Sequence, residues 1–246
     1  MIRYIKADFY RVFTKISRYI VLGLLFILLG VILYAVAKNN ATVYQLVDLL
    51  VKAIPYVAVA FGLVEYIYVY VEDFKAKTMQ IAIGTGIPRR KVVLTKWVEF
   101  GLLCLLDYIV MIALIFIICA FNGLRFEGDS AKDVYILFLF GWLKAFVCVG
   151  FTMIVVFRTQ ATTGGLLLYL ALSAGVVKVL LSTIFDLNFL APLHLSTILF
   201  SNLLETARSR AVLGTFSTLH IIGILIYIGV CYLATTLLFR KKELEF

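Results

Sequence analysis

Residues 98–121 read VEFGLLCLLDYIVMIALIFIICAF. In the interior of this run Asp107 is the single charge among leucine, isoleucine, valine and aromatic side chains. A helix rises about 1.5 Å per residue, so about 20 mostly apolar residues cross the hydrocarbon of a bilayer. Hydrocarbon offers no partner to an exposed backbone group, and a helix satisfies its own. The run therefore reads as a membrane-spanning helix. Working outward, five more stretches meet the same test, near 19–37, 51–71, 134–157, 163–185 and 219–239. The expected fold is an all-α membrane protein with six transmembrane helices in a single domain over 1–246.

Composition agrees. The 246 residues are 63% hydrophobic and 15% charged, with a mean hydropathy of +1.05. Soluble domains are about 45–50% apolar and about 25% charged, and one globule of this size cannot cover such an excess with polar surface. The formal charge of +9 would suggest nucleic acid in a soluble chain. Here the bases gather in short segments between apolar runs, which marks topology instead and argues for no nucleic-acid partner. The four cysteines (Cys104, Cys119, Cys148, Cys231) fall inside apolar runs without CxxC spacing, and read as free, buried thiols.

Lysine and arginine counts orient the chain. With the N-terminus inside, the inner segments hold fifteen of them and the outer segments six. Both termini are thus expected in the cytoplasm, in a cell (cytoplasmic) membrane. The first span has a basic lead and ends in Ala35-Val36-Ala37, like a signal peptide. Its 19 apolar residues exceed the about 7–15 of a signal h-region, so an uncleaved helix is expected. Ahead of it, Ile2, Ile5, Phe9, Val12, Phe13 and Ile16 share one helical face. Arg3, Lys6, Asp8, Arg11, Lys15 and Arg18 share the other. Residues 1–18 therefore read as an interfacial helix in the headgroup plane.

The outer stretch 186–218 is apolar where a free loop would be polar. Its runs are too short to span and suit re-entrant helices before the last span, broken at Pro192 and near Gly214.

Few motifs carry chemistry. His194 and His220 both fall near the outer surface, and no HExxH, GxSxG or GxxxxGK[ST] pattern occurs. Gly84-Thr85-Gly86 before Arg89, Arg90 and Lys91 lacks P-loop spacing. The chain is therefore expected not to be an enzyme. Ionisable groups inside spans default to function. They are Glu65, Asp107, Lys144 and Lys178. Asp107 and Lys144 differ in depth by about 6 Å, so they are expected to pair or to face one polar cavity.

The cytoplasmic segment 72–97 holds EDFKAKTMQIAIGTGIPRRKVVLTKW. A short amphipathic helix over Phe74–Ile83, stopped by Gly84, Gly86 and Pro88, would lie along the membrane and dock a soluble partner. This layout resembles the permease subunits of the ABC type-2 family. The resemblance covers the whole chain: the basic amphipathic start, FKAKTMQIAIGTGIPRRKVVLTKW between spans two and three, the apolar outer segment, and the short LLFRKKELEF tail. The short loop and the RYIKADFYR opening are similar to the bacteriocin and lantibiotic self-protection subgroup of Gram-positive bacteria.

The resemblance implies an exporter half that expels amphipathic or antimicrobial peptides. The implied partners are an ABC ATPase subunit, which binds ATP and Mg, and a second permease copy or a different permease chain; this chain itself holds no cofactor or metal. ATPase coupling would fall on Lys77, Thr78, Met79, Gln80, Ile81, Ala82, Ile83 and Gly84, flanked by Arg89, Arg90 and Lys91. Two other readings stay open: a secondary transporter or channel acting alone, and a membrane assembly or sensor protein.

Overall fold

A computed structural model of the chain describes residues 2–38, 42–126, 128–186, 195–215 and 217–241. Among these residues the secondary structure is helical, with no strand. The helices are α1 (Ile2–Phe13), α2 (Ile16–Lys38), α3 (Val43–Tyr66), α4 (Glu72–Lys75), α5 (Thr78–Gly84), α6 (Arg89–Phe121), α7 (Asp129–Thr159), α8 (Thr162–Ser173), α9 (Val176–Phe185), α10 (Phe200–Val212) and α11 (Thr218–Lys241). A π-turn over Ile67–Val71 carries α3 into α4 without a break. Five helices are long and apolar enough to cross a membrane: α2, α3 with its continuation to Lys75, α6, α7 and α11. The architecture is that of an all-α, multi-pass membrane protein.

The fifth expected span, 163–185, is not one straight helix. It is α8 and α9, bent by 65°. Ala174 caps α8, and Gly175 then adopts φ +84°. That left-handed geometry costs glycine little and other residues more, so the sequence places the break there. Beyond α9, residues 187–194, with the expected break at Pro192 and with His194, lie outside the described residues. The chain returns deep in the bundle. Phe200, the first residue of α10, stacks near Phe151 of α7 (5.6 Å between ring centroids) and Tyr227 of α11 (6.2 Å). Tyr227 also donates to the carbonyl of Ile198 at 2.9 Å. Helix α10 then climbs beside α7 and ends at Gly214 (φ +74°), next to Lys132.

The N-terminal segment also differs from one continuous amphipathic helix. It breaks at Thr14–Lys15, and α2 begins at Ile16. Arg18, placed by periodicity on the polar face, is instead 1% exposed.

A reciprocal clasp joins α3 to α8. Tyr66 crosses over Gly165 and donates to the carbonyl of Thr162 at 2.9 Å. Tyr169 crosses over Gly62 and donates to the carbonyl of Ala58 at 3.1 Å. The two rings stack at 6.0 Å. A methyl group on either glycine would occupy the space of the opposing tyrosine hydroxyl. Replacing Gly62 by alanine should displace Tyr169 and cost about 1–3 kcal/mol, the penalty of an unmade buried hydrogen bond. Tyr169→Phe, which removes the hydroxyl but keeps the ring, should cost less. Thermal unfolding of the two variants in detergent checks the order; equal stability of Gly62→Ala and wild type would refute the clasp.

Candidate functional site

The richest polar chemistry lies at the end of the bundle that carries α1 and the last turn of α11. The Arg89 guanidinium, at the start of α6, donates to the carbonyl of Phe239 at 2.8 Å and packs on its ring at 5.3 Å. This fixes the end of α11 beside the start of α6. Helix α1 comes to the same place from the other side.

Here a ladder of ion pairs joins α1 and α2 to α3, α4 and α6. Arg11, Lys15 and Arg18 lie at helical spacing near the N-terminus. Arg18 reaches Glu65 at 2.6 Å and Asp107 at 3.4 Å. Lys15 reaches Glu72 at 3.2 Å. Arg11 reaches Asp73 at 3.3 Å and Asp8 at 3.1 Å. At the centre stands Lys96 of α6, fully buried, which pairs with Asp8, with Asp73 at 3.2 Å and with Glu99 at 3.3 Å. Apolar surroundings penalise an isolated charge by several kcal/mol, so these groups hold one another in place. Burial opposes the charge on Asp8, but Lys96 and Arg11 outweigh it and hold the carboxyl below its ordinary value.

Helix α5 hangs from this cluster. The Thr78 hydroxyl, in its first turn, donates to the Asp73 carboxylate. Lys77 before it has φ 53°, and Gly86 after it has φ +92°, so the helix is confined to seven residues. Met79 and Ala82 are buried. Met79, Gln80 and Ile83 line a narrow groove with Phe74, Gln160 and Phe239. The outward side carries Lys77, Ile81 and Gly84, with Ile81 62% exposed. Arg90 and Lys91 are exposed beside them, whereas Arg89 is tied to α11. Of the expected coupling residues, then, Met79 anchors α5 to its own chain, and Ile81 is the apolar group that faces outward.

The intramembrane charges separate into two groups. Glu65 and Asp107 belong to the ladder. Lys144 and Lys178 lie across α7, around a different cavity with Glu205 and Arg208. The expected Asp107–Lys144 pair does not form, nor do the two share a cavity, because Arg18 already occupies the space beside Asp107. Lys178 pairs with Glu205 at 2.7 Å. His220 lies in the first turn of α11. All four cysteines are free and buried.

Asp8, Arg11, Arg18, Asp73, Lys96 and Glu99 were not expected to act together. A signal for part of the ladder exists: Arg11, Lys15 and Arg18 recur at four and three residues, and their partners Asp73, Glu72 and Glu65 fall within about two turns of each other. Two stripes of opposite charge with the same two-turn spacing can run side by side. Compared with known proteins, the chain matches no protein-family model and no curated protein.

Two outcomes follow from the ladder. Lys96→Met leaves buried Glu99 without a cation and Asp8 and Asp73 with Arg11 alone, and should destabilise the protein by about 3–5 kcal/mol. Amide hydrogen exchange should rise in 5–13 and 73–84 before the rest of the bundle. If exchange in those segments is unchanged, Lys96 is not the centre. The depressed Asp8 carboxyl contributes stability above the unfolded value, near about 3.9, and loses it as pH falls through the lower folded value. Protection of α1 should therefore decline as acid protonates Asp8. Asp8→Asn should remove that decline.

Proposed function

We propose that the chain is the membrane-spanning permease subunit of an ATP-driven exporter whose motor is a separate ATPase subunit. The observation that carries this reading is α5: a short helix between two spans, with an exposed apolar residue among bases, tied by Thr78 to Asp73 and packed inward through Met79 and Ala82. A loop serving topology alone needs basic residues but no such anchorage. Ile81, Lys77, Gly84, Arg90 and Lys91 would form the docking surface. Met79, Ala82 and Thr78 would hold α5 to Asp73, and through Lys96 to α6 and α1. Movement of a docked ATPase would thereby reach α6, α3 and the N-terminal helix as one body.

On this reading both termini and α5 face the cytoplasm, as the distribution of lysine and arginine favours. ATP and Mg sit on the ATPase, and a second permease, identical or different, completes the pathway. The cargo is an amphipathic molecule, with the peptides expelled by the self-protection subgroup as the first candidates. ATP hydrolysis would shift the bundle between states only through differential contacts of this kind.

Ile81→Asp is the direct test, because its side chain points away from the bundle. The variant should unfold at the wild-type temperature, lose the P-loop ATPase that co-purifies from native membranes in mild detergent, and lose ATP-dependent export. Met79→Asp should instead unfold at lower temperature, since it buries a charge beside Phe74 and Phe239. Retention of the ATPase and of full activity by Ile81→Asp would refute the docking surface. A chain that purifies without any ATPase would favour the stand-alone transporter.

A further inference from the structure

Lys144 stands fifteen residues from each end of α7, about 22 Å at helical rise. A charge at that depth is costly and marks a site. It borders a cavity of about 340 Å³ between α3, α7, the α8–α9 bend and α10, within the about 300–1,000 Å³ usual for ligand sites. Lys52, Lys144, Lys178 and Arg208 line it with one carboxylate, Glu205, and Lys52 is paired with Asp48 beside it at 2.6 Å. Lys178 takes that carboxylate. Among the described residues Lys144 and Arg208 form no ion pair, and the Ser201 hydroxyl, also on the wall, is buried without a hydrogen-bond partner. Beyond the Lys178–Glu205 pair, two cations without an ion pair of their own and a hydroxyl donor thus line one space.

The cavity has an apolar neighbour. A cleft of about 610 Å³ lies between α7, α8, α9 and α11, lined by Phe151, Leu168, Val177, Leu181 and Tyr227 among others. Leu172 borders both spaces. The bend at Gly175 brings a cationic chamber and a hydrocarbon slot to the two sides of one helix end. We propose that this pair of spaces binds one anionic phospholipid. Its phosphate lies against Lys144, Arg208 and the Ser201 hydroxyl, and an acyl chain lies in the cleft. Arginine and lysine are the usual phosphate donors, and the apolar slot separates a lipid from a free anion. A cationic peptide would be repelled by the same charges. The site does not depend on an ATPase partner.

Native mass spectrometry of the purified full chain, titrated with dioleoyl phosphatidylglycerol, tests this. One lipid should remain bound at low micromolar concentration. Arg208→Gln should weaken it about tenfold, and Lys144→Gln at least as much, consistent with losing a charge-assisted hydrogen bond. Glu205→Gln, which removes the competing carboxylate, should tighten it. Leu181→Trp, which fills the slot, should weaken the lipid. Thermal unfolding identifies any variant that fails to fold, and the Arg208 and Glu205 variants on α10 keep the test open if Lys144→Gln does. Equal binding of dioleoyl phosphatidylcholine would overturn the charge recognition. Displacement of the lipid by stoichiometric inorganic phosphate, or indifference to Leu181→Trp, would overturn the lipid in favour of a free anion. Identical affinities in all the charge variants would overturn the site.

Discussion

The joining of α1, α4 and α6 depends on one buried ammonium. Lys96 has no exposure and three carboxylates around it. Each carboxylate arrives on a different part of the chain: Asp8 on α1, Asp73 on α4, Glu99 on α6 itself. In a low-dielectric interior none of these charges is stable alone, and each partner lost raises the cost for the others. The cluster therefore adds a common electrostatic tie to helices that also meet through Phe9, Val12, Phe74 and Met79. Helix α5 has only seven residues and could not hold its own place by propensity, since isolated helices of that length are marginal. Its placement comes from Asp73 and from the burial of Met79 and Ala82.

The spans were legible because hydrocarbon leaves so few alternatives. A run of twenty apolar residues has one structural outcome, and α6, α7 and α11 follow from length and hydropathy alone. Their ends extend beyond the apolar limits because polar helix continues past the hydrocarbon, as α7 does from Asp129 to Thr159. The broken fifth span was less legible. Residues 163–185 are as apolar as any other, and nothing in hydropathy distinguishes a straight helix from one bent at Gly175. The bend is a property of one backbone dihedral, and a glycine in a membrane helix is common enough to carry no signal.

Charge partners were misjudged for a similar reason. Depth matching of Asp107 and Lys144 considered two spans and ignored the first. Arg18 was counted among the bases that orient the chain, yet its guanidinium is buried against Glu65 and Asp107. Residues that supply positive charge to a topology rule also need a place to put that charge. For Arg11, Lys15 and Arg18 the place is a stripe of acids on α3, α4 and α6, and no count of charges per loop reveals it. Segment 72–97 was legible as holding a short helix with basic flanks, but the expected helix over Phe74–Ile83 is split at Lys77 (φ 53°) into α4 and α5, and which residues of α5 face outward was not legible. Met79 and Ile81 are two positions apart, so about half a turn of rotation exchanges them.

The two polar regions differ in a way that separates structure from recognition. In the ladder every cation faces a carboxylate of the same chain, so the charges are spent on holding helices together. Around Lys144 the balance is different: Lys52 pairs with Asp48 and Lys178 with Glu205, but Lys144 and Arg208 form no ion pair among the described residues, and the hydroxyl of Ser201 has no hydrogen-bond partner. A protein does not place unneutralised charge at the middle of a 31-residue helix for stability, because an apolar residue there would be cheaper. The charge is kept for something outside the chain. Its surroundings define that something: anionic at one point, apolar beyond Leu172, and reached where α8 turns aside at Gly175. The break that interrupts the fifth span is thus the same feature that opens the cavity, and a straight helix over 163–185 would leave neither the bend nor the junction between the two spaces.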